Sequence, residues 1–180
     1  LRQGGDRGRL SVEAIDGLSA HARRALRMAS IFGERFREEG VAHLLDVARV
    51  APAAPASGDA PRTSTVRISS PGLDWVAELT AAEVLERAKK APGELAFRHA
   101  LVRDAAYETL TADDRAEGHR VAAEWLARDP DAEPSALAIH FEKGDDVVRA
   151  RAAYIAAAAR AILAHDLAQG RRFADKAVAL

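Results

Sequence analysis

The sequence predicts a mainly α-helical chain with one short β-hairpin, and three observations lead there. Apolar residues recur at three- and four-residue spacing along most of the 180 positions, and capping residues stand ahead of several of these runs. Only 84–98 reads as two short strands about a turn, Lys89-Lys90-Ala91-Pro92-Gly93. Of the residues counted as hydrophobic, 42 are alanine, which leaves 45 larger apolar side chains, enough for one modest core or two small ones.

Residues 1–9 are rich in Gly and Arg without apolar periodicity and read as a linker. Val12, Ile15 and Leu18 sit at helical spacing. Ser19 caps a second helix that places Ala22, Ala25, Leu26 and Ala29 on one face and ends at Gly33. Phe36, Val41, Leu44 and Leu45 give a third helix, with Glu38 and Glu39 in its first turn, where carboxylates suit the helix dipole. The stretch 51–65 holds three of seven prolines and no large apolar side chain, and it predicts a mobile loop. Ser70 and Pro71 start a fourth helix, in which Leu73, Val76, Ala77 and Thr80 line one side beside Trp75 and Leu79.

The hairpin follows, although its first strand is rich enough in alanine to continue the helix instead. From His99 to Leu110, Val102, Ala106 and Leu110 form one stripe of an amphipathic helix. Thr111 and Asp114 then form a capping box, with Asp in the usual place of Glu. The next helix presents Gly118, Val121, Ala122, Trp125 and Leu126 on one face and stops by Pro130. A short helix spans 135–141, and Gly144 stops it. Asp145 starts a long helix whose Val148, Ala152, Ile155, Ala159 and Ile162 are expected to face inward, and 167–180 pairs with it. Alanine-lined pairs with short connections suit helical hairpins of the repeat type.

Chemistry-bearing patterns are few. The chain has no cysteine, which removes disulfides, thiolate metal sites and cysteine nucleophiles. No glycine-rich phosphate loop, no GxGxxG turn, no GxSxG elbow and no HExxH pair occurs, and the six histidines stand singly. No catalytic residue, metal site or cofactor is therefore expected in this chain, and it reads as no enzyme. The acidic pairs at 113–114 and 145–146 sit at helix starts, where capping explains them. Net charge is −1, which disfavours non-specific binding to nucleic acid, and no apolar run approaches the roughly 18 residues of a membrane span. The exception is His99, at a strand-to-helix junction. From there an imidazole can reach toward an anion, assisted by the helix N-terminus, or it can simply cap its helix.

Four stretches carry a resemblance: Leu18–Phe36, LSAHARRALRMASIFGERF; DWVAEL at Asp74; Leu95–Leu126, with FRHALVRDAAYETL its most specific part; and LAIHFEKGDD at Leu137. Together they resemble the region that follows the ATPase core in bacterial STAND-class (AAA-like) signalling ATPases, proteins often joined to serine/threonine kinase, adenylate cyclase or DNA-binding modules and followed by tetratricopeptide repeats. The resemblance implies a winged-helix-like domain over 10–110 and the start of a tetratricopeptide-like helical segment over 111–180. It implies ATP or ADP in an upstream ATPase domain of the parent protein, a protein partner on the repeats, and a cytoplasmic location. In that class a histidine in a Met-His-Asp motif contacts the diphosphate of the resting state. His99 stands at the matching place, with Arg98 for the Met and Ala100 for the Asp. Arg103 and Asp104 match the polar pair that follows and are expected at a helix surface or domain interface.

The start at Leu1 and the helical pattern still running at Leu180 lead to the expectation of a piece of a longer polypeptide, with marginal stability or self-association when cut out. The competing readings are a DNA-binding winged helix with Arg87, Lys89 and Lys90 at its wing, and a plain helical-repeat adaptor with no nucleotide role.

Overall fold

A computed structural model describes residues 17–50, 74–88 and 91–180. The linker at 1–9, most of the helix expected around Val12, the loop at 51–65, the Ser70-Pro71 helix start and the Lys89-Lys90 turn tip lie outside them. Among the described residues the chain is mainly helical, with one small antiparallel sheet. The described residues divide into two compact units between Ala106 and Tyr107.

In the first unit, α1 (Ala20–Phe32) starts where the Ser19 hydroxyl accepts a hydrogen bond from the Ala22 N–H at 3.1 Å. The amide and hydroxyl of Ser19 also donate to the Glu78 carboxylate, at 2.5 and 2.7 Å. These bonds tie the start of α1 to α3 (Asp74–Ala81), and they hold the Glu78 carboxyl below its usual range. The four residues placed on the inner face of α1, Ala22, Ala25, Leu26 and Ala29, are all buried. Gly33 ends the helix at φ +104°, a conformation that favours glycine.

Phe36 opens no helix; it is the centre of a strand, β1 (Arg35–Arg37), whose arginines point to solvent while the phenylalanine is buried. That alternation is the period of a strand, compressed into three residues too few for periodicity to register. The helix proper, α2 (Glu38–Val50), begins at the acidic pair. The expected hairpin forms as β2 (Leu85–Arg87) and β3 (Glu94–Phe97), with β3 central in the order β1-β3-β2. Phe36 lies opposite Leu95 and Leu85 opposite Phe97, and the Phe36 and Phe97 rings meet at 5.6 Å. Trp75, Val76 and Leu79 of α3 join Val41, Leu85 and Leu95 in one core from which water is excluded. Each such side chain contributes about 1.5–3 kcal/mol on burial.

In the second unit, α4 (Ala100–Glu108) contributes its last residues and α5 (Ala112–Leu126) follows. The capping box at Thr111 and Asp114 is present in both directions. Gly118, Val121 and Ala122 are buried as expected, while Trp125 and Leu126 are only half-buried. Three more helices follow, α6 (Pro134–Lys143), α7 (Val147–Leu163) and α8 (Leu167–Ala179). The last two connections repeat one construction. Asp145 and His165 adopt positive φ, 60° and 62°. The next residue in each case, Asp146 or Asp166, accepts with its carboxylate the N–H of Arg149 or Gln169, at 2.9 Å.

On α7 the packed face differs from the one the spacing predicts. The stripe Val148, Ala152, Ile155, Ala159 and Ile162, expected to face inward, is exposed along its whole length, and Ala150, Tyr154, Ala157 and Ala158 are buried instead. Alanine on every side of this helix leaves the periodicity ambiguous, so packing decides. The Tyr154 hydroxyl donates to Glu142 of α6 at 2.5 Å, and Lys176 of α8 donates to the same carboxylate at 2.9 Å. Small residues at 157 and 158 suit close approach of the neighbouring helices.

Candidate functional site

The four residues singled out by sequence lie at the end of β3 and the first turn of α4. The Arg98 N–H donates to the Val84 carbonyl at 3.0 Å, which closes the sheet beside β2. Its guanidinium pairs with Glu83 at 3.3 Å. His99 is the residue ahead of α4. Its carbonyl accepts from the amides of Val102 and Arg103, at 3.1 and 3.4 Å, and its side chain is exposed. The backbone thus makes His99 the first residue of the helical hydrogen-bond pattern while leaving the imidazole available to a ligand. Arg103 binds its neighbour Asp104 through both Nε and Nη2, at 2.9 and 2.6 Å. The structure therefore brings Arg98 and His99 to one junction, where Arg98 faces Glu83, and it pairs Arg103 with Asp104 one turn further along. No three of His, Cys, Asp or Glu cluster to hold a metal ion among the described residues.

A second constellation, in the other unit, escaped the sequence reading. His119 of α5 and His140 of α6 are buried, 1% and 5% exposed, with their Nδ1 atoms 2.9 Å apart. The Tyr107 hydroxyl lies 3.0 Å from His119 Nε2. Arg115 and Lys143 stand over the Tyr107 ring at 4.7 and 5.5 Å. Burial pushes His119 down to about 3, helped by the charge that His140 and Lys143 would place beside it. Burial also pushes His140 down to about 4, again with Lys143 contributing. Both rings are neutral at pH 7, and one Nδ1 donates to the other.

Tyr107, His119 and His140 thus form one hydrogen-bonded chain, in which a further proton on either ring would be both buried and close to Lys143. The two residues share no motif. The only signal was that His119 adjoins the inner-face residues Gly118, Val121 and Ala122, a place where a polar side chain needs a partner.

Compared with protein-family models, curated proteins and solved structures, the chain matches none. No helix among the described residues is long and apolar enough to cross a membrane.

Proposed function

We propose that this chain is a non-catalytic regulatory segment of a cytoplasmic signalling ATPase. In this reading the first unit senses nucleotide held by an adjoining ATPase domain, and the second receives a signal from a protein partner. The observation that carries the reading is the sheet. The sequence of elements is helix, strand, helix, helix and two strands, with order β1-β3-β2. This arrangement supports a winged-helix-like unit, and its last strand delivers His99, exposed, to the N-terminus of α4. A helix start favours anions, and a histidine beside it adds a donor, so a diphosphate is the ligand chemistry that suits the junction.

In the second unit, Tyr154, Ala157 and Ala158, with Ala161 beyond them, and Gly170 and Ala177 on the following helix fall on the spacing of tetratricopeptide helices, and a Cβ at Gly170 would stand 3.4 Å from the Ala158 carbonyl, where the two helices approach. That spacing supports a repeat-type role in protein binding. The mechanism is population shift: nucleotide contact through His99 favours one placement of the unit against the ATPase, and a partner on the helices favours another.

The DNA-binding reading ranks lower because α3, the helix that leads into the hairpin, carries Asp74 and Glu78 and no basic residue. ADP dissociation from the full-length protein tests the proposal. His99→Ala should accelerate ADP release several-fold with the fold intact, and an unchanged release rate refutes nucleotide sensing through His99.

A further inference from the structure

One apolar stripe of α7 is exposed. Val148, Ala152, Ile155, Ala159 and Ile162 follow one another at intervals of four, three, four and three, the spacing of a coiled-coil seam. Val148 is 80% exposed, Ile155 58% and Ile162 51%. The opposite side of the same helix is occupied by Ala150, Tyr154 and Ala157. Ile162, at the end of the stripe, also lies over Gly170 of α8, and the rest of this second apolar face is left as a docking surface. The alternation of branched residues with alanine suits another helix lying close along it.

Charge selects the kind of helix. From 147 to 163, α7 contains three arginines and no acidic residue, in a chain whose net charge is −1. Arg149 and Arg160 are paired with carboxylates of the same unit. Arg151 is exposed beside the seam, one helical turn from Ile155, and no carboxylate pairs with it among the described residues. With Arg149 and Arg160 answered by carboxylates of their own unit, a second copy docked on the seam would add another Arg151 and, from its own α7, no acidic residue to meet the first, so self-pairing is disfavoured. We infer that the outer face of α7 binds an amphipathic helix of a partner protein whose apolar seam is flanked by glutamate or aspartate. This deepens the protein-binding half of the function proposed above and does not depend on nucleotide sensing by His99.

The test uses the whole chain and two synthetic helical peptides of about 20 residues, long enough for several turns. They share one Leu/Ala heptad seam and differ only in flanks of Glu or Lys. Fluorescence anisotropy should show micromolar binding of the Glu peptide, weakened several-fold between 0.05 and 0.3 M salt, as screening requires (figures on the order set by the Debye length). The Lys peptide should bind at least about tenfold more weakly, the factor that 1.4 kcal/mol represents. Ile155→Asp should reduce Glu-peptide affinity by at least about tenfold on the same scale, with unchanged helical circular dichroism because the side chain is exposed. Arg151→Glu should narrow or reverse the preference between the two peptides, a result that a purely structural role for Arg151 would not give.

Equal binding of both peptides, no binding of the Glu peptide, or full binding to folded Ile155→Asp would overturn the inference. So would a dimer in sedimentation that Ile155→Asp dissociates, since a second copy would then be the occupant. No assay here contains nucleotide, so failure of the His99 test leaves this result standing, and the converse holds as well.

Discussion

Lowering the pH from 7.5 to 5.5 should destabilise the second unit through His119 and His140, and the size of the loss can be worked from their burial. In the unfolded chain each imidazole titrates near 6.5, whereas in the folded unit the two are held down to about 3 and about 4. Between those values the unfolded chain binds more protons than the folded one, so stability rises with pH. It is fully present above the unfolded value and is lost as pH falls toward the folded ones. At pH 5.5 both folded rings are still neutral, and each unfolded ring is about nine-tenths protonated, a difference of about 1.4 kcal/mol per histidine and about 2–3 kcal/mol for the pair.

The assay is urea unfolding followed by ellipticity at 222 nm and by Trp125 fluorescence in a Trp75→Phe background, repeated at half-unit steps of pH. The wild-type unfolding free energy should fall with a slope approaching two protons near pH 5.5. The double variant His119→Gln, His140→Gln should be flatter by that amount. A wild-type curve that is level between 7.5 and 5.5 would mean the rings are not buried against each other as described.

Three further outcomes follow from single positions. Gly144→Ala places a Cβ 2.9 Å from the Arg120 amide nitrogen and 3.1 Å from the His140 carbonyl, both backbone atoms. It should cost about 2 kcal/mol or more in the same denaturation assay, with no side-chain truncation able to restore it. Gly170→Ala meets instead the Ile162 side chain at 2.8 Å. Its cost of about 1–3 kcal/mol should shrink on adding Ile162→Ala, and a double-mutant cycle with no coupling would contradict the contact. Thr111→Ala removes the acceptor of the Asp114 amide bond, 3.1 Å long, and should cost about 1 kcal/mol. Full stability in that variant would mean α5 is capped by other groups.

Those positions also show what the sequence could and could not convey. The local signals were legible: the Ser19 cap and the Thr111 capping box are each written within four positions, and the inner residues of α1 recur along a single helix. The hairpin at 85–97 could be read from its turn, yet the strand that completes the sheet could not. Three residues hold too little pattern, and the partner of β1 stands far along the chain. On α7, alanine removed the contrast between faces, and the choice passed to Tyr154 and Glu142, a contact between helices that periodicity does not encode. The same is true of the histidines. His99 could be placed because its junction is local, whereas the bond between His119 and His140 exists only once α5 lies against α6.

The twofold use of one helix-to-helix turn bears on the order in which the chain acquires its structure. Each joint, at 144–146 and at 164–166, is closed by backbone bonds reaching back three and five residues and by an aspartate that caps the helix it precedes. Once formed, it returns the chain onto the helix just completed. The partners in the second unit are thus near neighbours in sequence, the condition for folding in microseconds to milliseconds. The first unit must bring Phe36 beside Leu95 before its sheet closes, and the loop entropy of that search comes before any reward from the contacts. The helices of residues 112–179 are therefore expected to form first, with the sheet that presents His99 the last part of the chain to assemble.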